Sequence, residues 1–172
     1  ISLSHTHRAR RWDLMQQHSA QHLVTATAIK LFGYQTDAWN LGDELSFLDL
    51  ETPSVTPEQL AQLETVVNTS IRASLAITPR WIMPDDPEVA TIRCRGLPAN
   101  VVGEIRVLEI DEVDKNLCCG THVQSTKDLQ VVKLLKVEKA KKNTRLWFVA
   151  GDRALHQLGV MFARQTTLTG KL

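Results

Sequence analysis

Two pairs of residues that commonly bind metals occur in this sequence with the same spacing. His18 and His22 stand four residues apart, and Cys118 and His122 repeat that interval about a hundred residues later. Side chains at positions i and i+4 of a helix lie on one face, so both imidazoles of the first pair can reach one ion. A thiolate and three imidazoles suit Zn²⁺. We therefore predict that these four residues bind one zinc ion per chain.

Each pair also has an ordinary structural explanation. Two histidines on one helix can be core or half-exposed residues, and Cys118 suits a small buried position at the end of a strand. Four protein ligands also complete a tetrahedral zinc site, which is the pattern of structural zinc, whereas catalytic zinc keeps one position open. A purely structural zinc site therefore stays open as an alternative to a catalytic one.

The helices that must position these residues follow from the spacing of apolar residues. Such residues recur at steps of three and four from about Trp12 to Phe32. A second helix is predicted from Thr56, which can form a capping box with the glutamine three residues later, to about Ala76. A last helix is predicted to begin at Gly151. The first histidine pair thus falls on the first helix.

Extended segments lie between the second and third helices and in a hairpin after the first. Because strands cluster instead of alternating with helices, the pattern favours an α+β fold over a doubly wound one. We expect a two-layer sandwich of a mainly antiparallel sheet packed by helices, with the zinc site between the first helix and a strand-end turn. The predicted strands lie in Trp39–Leu50, around Trp81–Met83, and in Val101–Ile110, Leu129–Val137 and Thr144–Ala150, with a polar connection over Asp111–Asn116.

The composition is that of an ordinary globular domain. The chain has 172 residues, 43% hydrophobic and 23% charged, with a net charge of +1. That small charge excludes a strongly basic binder of DNA, and no apolar run is long enough to span a bilayer, so neither DNA nor a membrane is expected as a partner. The three cysteines, two of them adjacent, do not read as a disulfide framework. This favours a reducing compartment and predicts a cytoplasmic protein.

The two pairs and their surroundings resemble one family. The segments from His18 to His22 and from Cys118 to His122, read as HSAQH and CCGTH, are similar to the HxxxH and CxxxH zinc motifs of alanyl-tRNA editing domains. The resemblance runs in order from about Arg8 to Leu155. The editing domain of threonyl-tRNA synthetase is a poorer match. Cys119 stands where the family usually has glycine, which resembles the eukaryotic members of the freestanding branch (AlaX, longer type).

The resemblance implies a zinc-dependent enzyme that maintains translation fidelity. Its substrate would be mischarged tRNA, above all seryl- or glycyl-tRNA(Ala), whose ester it would hydrolyse in trans. Residues 1–172 would form the editing domain, and a β-barrel that precedes it in the longer freestanding type is expected to be absent from this chain. Two alternatives stay open: an editing domain taken from alanyl-tRNA synthetase, and a zinc-stapled tRNA-binding module without catalysis. The preferred amino acid and the oligomeric state also stay open.

Further site residues are expected around the four ligands, which would be catalytic through zinc. Thr121, inside the CxxxH turn, can donate to the ester oxygen, although stabilising a turn is the commoner role for such a hydroxyl. The segment after the first helix lines the pocket in the family. Candidate substrate-binding residues are therefore Thr36, Asp37 and Asn40, although each can also be plain strand surface. Arg106 is either a pocket residue or an exposed strand charge. A backbone loop at Gly96–Pro98 is a further candidate, and by helical phase Gln21 is expected to face solvent.

Contacts with tRNA are expected from local basic clusters, because the net charge is so small. The candidate residues are Lys139, Lys141, Lys142 and Arg145, with a second cluster at Arg8, Arg10 and Arg11. Solvated surface explains either cluster equally well. No glutamate stands beside the ligands, so a general base must come from elsewhere. The candidates are Glu104, Asp111, Glu112 and the ribose hydroxyl of the substrate itself.

Overall fold

Three helices and two antiparallel sheets make up the part of the chain that the computed structural model describes, residues 3–94 and 102–170. The helices are α1 (Leu3–Phe32), α2 (Pro57–Arg72) and α3 (Gly151–Thr169). The α+β class and the antiparallel pairing are confirmed, although the strands form two sheets and not one. The strands are β1 (Thr36–Asn40), β2 (Ser46–Leu50), β3 (Ile77–Ile82), β4 (Ile105–Ile110), β5 (Asp114–Leu117), β6 (Val132–Ala140) and β7 (Asn143–Ala150).

The larger sheet has the strand order β1-β2-β7-β6, and the smaller one β3-β4-β5. In the larger sheet two hairpins, β1-β2 and β6-β7, join through the antiparallel pairing of β2 with β7. In the smaller sheet β3 is an edge strand and holds Pro79 opposite Leu108. An edge strand tolerates proline because the missing N–H need not pair. The prediction of a short strand near Trp81 therefore placed β3 too late, since Pro79 suggested a break.

The core lies between the larger sheet and the first two helices. Leu23 and Val24 of α1 are fully buried, as are Leu146 and Phe148 of β7. Helix α2 begins at the predicted capping box, in which the hydroxyl of Thr56 and the side chain of residue 59 each accept a backbone N–H. The predicted apolar face of α2 packs in the core, where Leu63, Val67 and Ile71 are buried.

Two glutamines of α1 fasten that helix to the end of β7. The Nε2 group of Gln17 donates to the carbonyl of Ala150 at 2.9 Å, and the N–H of Ala150 donates back to Oε1 at 3.0 Å. Gln16 accepts from the N–H of Asp152 at 3.1 Å. These bonds satisfy backbone groups at the end of β7 and the start of α3. Because the two glutamines lie on α1 and their partners belong to other elements, the bonds also fix the rotation of α1 about its axis. That rotation decides where the next residue, His18, points.

Two elements differ from the sequence-based prediction. Helix α1 begins at Leu3, nine residues before Trp12. The prediction started too late because residues 7–11 are exposed and almost all polar, and so show no apolar periodicity. The predicted polar connection at 111–116 instead contains β5, whose Asp114 and Lys115 are engaged in ion pairs with Arg93 and Glu88. Charged side chains on a four-residue strand hide the alternation that marks longer strands.

Helix α3 forms as predicted, but its apolar residues are not packed. Leu155, Leu158, Met161 and Phe162 are between 55% and 70% exposed. The helix is tied down at its first turn, where Arg153 is buried and bonds Asp13 of α1. None of the described helices is long and apolar enough to cross a membrane.

Candidate metal centre

The structure brings together all four residues that the sequence predicts as metal ligands. One ligand atom from each of His18, His22, Cys118 and His122 lies within 4.8 Å of every other. The Sγ atom of Cys118 is 3.6 Å from Nε2 of both His18 and His122. The histidine pair occupies successive turns of α1, whereas Cys118 directly follows β5.

Arg106 of β4 holds the turn that carries Cys118 and His122. Its Nη1 group donates to the carbonyl oxygens of Cys118, at 2.5 Å, and of Gly120, at 2.9 Å. The N–H of Cys118 donates in turn to the carbonyl of Arg106 at 3.3 Å. Charge-assisted bonds of this kind are stronger than neutral ones. Arg106 is therefore a positioning residue for the turn, a role not considered from the sequence, and its contact with substrate stays a prediction.

A second tie joins the turn directly to α1. The N–H of Val123 donates to the hydroxyl of Ser19 at 3.1 Å, and both residues are buried. Ser19 lies between the two histidines of the first motif. The two ligand pairs are therefore held to each other by a hydrogen bond that needs no ion.

Gly120 lies against the imidazole of His18 and leaves no room for a side chain. A Cβ atom built on it would lie 2.3 Å from Cε1 and 2.7 Å from Nδ1 of His18. The Gly120 N–H points at Sγ of Cys118, 3.4 Å away, and the His18 ring is hydrogen-bonded to the backbone of Thr121. Such a partner for the second ring nitrogen is typical of metal-binding histidines, because it fixes the ring's orientation.

Buried polar atoms without a hydrogen-bond partner are concentrated at this cluster. In the described residues they are both ring nitrogens of His22, Nδ1 of His122 and Oε1 of Gln21. Leaving such an atom buried and unpaired costs about 1–3 kcal/mol. A zinc-type cation would use imidazole lone pairs of this kind, so the donor set and its unmet bonding both fit a metal site.

The electrostatics of the cluster favour neutral imidazoles. Burial lowers the pKa of His18, and burial with the neighbouring imidazoles holds the pKa of His22 well below the ordinary value for histidine. Burial, together with His18 and Arg106, lowers the pKa of His122 to about 3. Burial also raises the pKa of the Cys118 thiol. At neutral pH the three imidazoles therefore offer lone pairs, and only the thiol must lose a proton to a bound cation.

Three of the four clustered residues line one end of a cavity of about 370 Å³. The rest of its wall is polar, apart from Trp39 and Leu117, and the described part of the chain places no carboxylate on it. The candidate bases Glu104, Asp111 and Glu112 are exposed and lie off this wall. The wall therefore offers three amides, the hydroxyl of Thr36 and one arginine, Arg93, to a bound molecule.

The cavity contains some of the other predicted site residues and not others. Thr36 lies on its wall, and the Thr36 hydroxyl is 2.9 Å from that of Thr25. Asn40 lies off the wall, where its Oδ1 accepts from the N–H of Gly42 at 2.7 Å and so stabilises the hairpin turn. Asp37 faces the other way and accepts from Asn143. The predicted loop at 96–98 lies outside the described residues.

The structure places Thr121 and Gln21 in surroundings that the sequence did not indicate. Thr121 is exposed in the CxxxH turn, and it is its backbone that contacts His18. The expectation that Gln21 faces solvent is wrong, because Gln21 is 3% exposed and lines the cavity, with Nε2 donating to Thr25 at 3.1 Å. Helix α1 is buried on every side over residues 16–28, so helical phase has no solvent face to indicate.

The predicted basic cluster lies on the β6-β7 hairpin and is partly neutralised. Arg145 pairs with Asp49 at 2.7 and 2.9 Å and packs over the ring of Phe47, 3.7 Å from its centroid. Lys139 donates to a backbone carbonyl. Lys141 and Lys142 are exposed at the hairpin turn, as are Arg8, Arg10 and Arg11 on the first part of α1.

Strand β1 separates the cavity from the groove beside this hairpin. Thr36 and Trp39 of β1 face the cavity, whereas Asp37 and Ala38 line the groove together with the hairpin residues. Strand β1 therefore borders both the cavity and the groove that the exposed lysines line.

Comparison with known proteins gives two kinds of match. The family model described as "Threonyl and Alanyl tRNA synthetase second additional domain" matches residues 105–146, which include Cys118 and His122. Proteins named alanyl-tRNA editing protein Aarsd1 from Mus musculus and Aarsd1-A from Xenopus laevis are 49% and 47% identical over 164 residues, 95% of this chain. The alanyl-tRNA editing protein AlaX-L of Pyrococcus horikoshii is 30% identical over 86% of this chain. The chain spans about 40% of the length of the first two relatives and 36% of the third.

Proposed function

We propose, from the premise that this chain belongs to the alanyl-tRNA editing proteins, that it is an aminoacyl-tRNA deacylase. It would hydrolyse the ester that joins a wrongly attached amino acid to the 3′ ribose of tRNA, with seryl-tRNA(Ala) as the first substrate to test and glycyl-tRNA(Ala) as the second. The observation that carries this proposal is the cluster of His18, His22, Cys118 and His122, of which all but His122 line a cavity.

Those four residues would hold one zinc ion. When bound, zinc supplies a positive charge that polarises the ester carbonyl and makes water more acidic. The chain's own contribution is to keep three imidazoles neutral by burial and to hold the thiol-bearing turn through Arg106. The absence of a carboxylate from the described wall leaves the ribose hydroxyl of the substrate as the candidate to accept a proton.

Selection of the amino acid would rest on two polar side chains of the wall, Gln21 and Thr36, and on Thr25, which is buried behind them. Gln21, Thr25 and Thr36 form a hydrogen-bonded row, and the carbonyl oxygen Oε1 of Gln21 is buried and has no partner. A serine hydroxyl or an amino group can donate to that oxygen. A site built to hydrogen-bond a hydroxyl discriminates strongly against an analogue without one. We therefore propose that serine esters are cleaved faster than alanine esters.

The compartment we propose is the cytoplasm. The structure has all three cysteines as free thiols, two of them exposed, and exposed thiols persist in reducing surroundings.

A deacylation assay tests the proposed activity. We expect the protein to accelerate the loss of serine from seryl-tRNA(Ala) by at least about a hundredfold, the scale of a single acid–base contribution. Chelator should return the rate to the spontaneous one, and added zinc should restore it. Alanyl-tRNA(Ala) serves as the matched substrate and should lose its amino acid more slowly.

Two outcomes would contradict the proposal in different ways. A protein that binds tRNA but leaves the ester lifetime unchanged would be a tRNA-binding module with a structural zinc site. That alternative is suggested by the four protein ligands, which are the pattern of structural zinc. Full activity in a metal-free preparation would instead remove the metal from the reaction.

Contact with the tRNA backbone is proposed for Lys139, Lys141, Lys142 and Arg145, with the exposed lysines of the hairpin turn carrying most of it. Changing Lys141→Glu and Lys142→Glu together should weaken tRNA binding about tenfold or more. It should also reduce the slope of log affinity against log salt concentration by roughly one to two, because each lost phosphate contact reduces that slope by about 0.7–0.9. Binding isotherms at several salt concentrations measure both quantities.

The matched control for this prediction makes the same charge change elsewhere on the surface. Lys30 and Lys127 are also exposed, and Lys30→Glu with Lys127→Glu should leave the salt slope unchanged. Equal slopes for the two double variants would remove the hairpin from the tRNA footprint.

A further inference from the structure

We propose that Trp39 binds the terminal adenine base of the tRNA by stacking, an inference that rests on the proposed function and identifies the contact that positions the ester. Trp39 lies on the edge strand β1, lines the cavity and is 44% exposed. Its ring stacks on the imidazole of His18, with 5.2 Å between centroids and 30° between planes. A large, half-exposed aromatic ring therefore lies directly beside the metal cluster.

The covalent structure of the substrate places a base at this position. The ester to be cleaved is attached to the terminal ribose, and the adenine is attached to the same ribose. When the ester lies at the cluster, the adenine cannot be farther away than the length of one nucleoside. Trp39 is within that reach, since its ring contacts His18.

The chemistry of the wall makes Trp39 the residue that suits a base. Apart from the clustered histidines, Trp39 is the one aromatic side chain that the described residues contribute to the wall, and most of its other residues are amides and hydroxyls. Unpaired RNA ends are recognised by stacking on aromatic side chains. Such stacking contributes about 1–3 kcal/mol for each base. The polar wall can then serve the amino acid and the ribose.

The competing explanation for the exposed Trp39 ring is structural: it packs against His18 and holds that imidazole in place. The two explanations differ in what they predict for an RNA that lacks only the last base. If Trp39 stacks on adenine, the loss of the ring and the loss of the base remove the same interaction, and their effects are not additive. If Trp39 only supports His18, removing the base has the same effect whether or not the ring is present.

The experiment measures binding and needs no activity. Two uncharged RNA hairpins are compared, one ending in single-stranded CCA and one in which the last ribose carries no base. We expect wild-type protein to prefer the first about tenfold, within the range for one stacked base. The preference should vanish in Trp39→Ala and largely return in Trp39→Phe. Trp12→Ala is the control, because Trp12 is 37% exposed and lies off the cavity wall, and it should keep the full preference.

Zinc content and kinetics complete the test. Trp39→Ala should keep its zinc and raise the KM for seryl-tRNA about tenfold with little change in kcat. A Trp39→Ala protein that retains the preference for the complete CCA end would overturn the inference, and so would one that loses zinc. If wild-type protein shows the preference but hydrolyses no ester, the proposed function fails while the base contact stands.

Discussion

Changing His18→Ala together with Cys118→Ala should abolish zinc binding and, with it, the proposed deacylation of seryl-tRNA. The two residues come from different motifs, so each ligand pair loses one donor atom. Losing only a hydrogen bond that supports a metal ligand lowers metal affinity by up to about 100-fold. Because two ligands are lost here, we expect zinc affinity to fall by more than that. Metal analysis of the purified variant, followed by titration against a chromophoric chelator, measures the loss.

A matched pair of substitutions controls for the loss of a thiol and an imidazole as such. Cys119 and His156 are the same residue types, are exposed and lie outside the cluster. Cys119→Ala with His156→Ala should bind one zinc ion and keep full activity. If the His18/Cys118 variant still held one zinc per chain tightly, the assignment of these ligands would be wrong.

The second large effect is expected from a substitution that removes no ligand atom. In Gly120→Ala the new methyl group would lie 2.3 Å from Cε1 of His18, so either the imidazole or the turn must move. The turn is held by Arg106 and by Ser19, which favours displacement of the ring. We expect zinc affinity to fall about 10- to 100-fold, as for the loss of a partner that orients a ligand. Competition with a chelator of known affinity measures this.

Gly159→Ala gives the comparison for the Gly120 variant. Gly159 is exposed on α3, and a Cβ atom built there meets nothing within 4 Å. Alanine in an exposed helix is more stable than glycine by about 1 kcal/mol, so this variant should fold at least as well as wild type and bind zinc normally. If Gly120→Ala bound zinc with wild-type affinity, the His18 ring would be able to move away without weakening zinc binding. The close contact between Gly120 and His18 would then not be needed for the metal site.

The sequence was informative where the signal is local. The i, i+4 spacing placed each ligand pair on one short segment, and the capping box at Thr56 marked the start of α2 correctly. Two such pairs in one chain were enough to propose that they meet, although nothing in the local pattern of either pair specifies the other. The structure shows the missing link, the hydrogen bond from Val123 to Ser19.

The features that the sequence did not indicate depend mostly on partners that are distant along the chain. Arg106 acts on the turn because β4 pairs with β5, and that pairing joins residues that have no local sequence relation. Gln21 is buried because α1 passes through the centre of the molecule, where helical phase loses its meaning. Asn40 was a candidate because the segment after the first helix lines the pocket in the family. The hairpin turn in which its Oδ1 accepts from Gly42 was not indicated by that resemblance.

The distance along the chain between the two ligand pairs has a consequence for the unfolded state. An ion shared by α1 and the turn after β5 would link His22 to Cys118 and so close a loop of about a hundred residues. In the chain-entropy treatment of cross-links, such a loop is worth about 4–5 kcal/mol. Four ligands taken from one short segment would restrict the random coil far less. An ion with the proposed role in ester hydrolysis would then also act as a reversible cross-link, and the resistance of this domain to unfolding would rise and fall with the supply of free zinc.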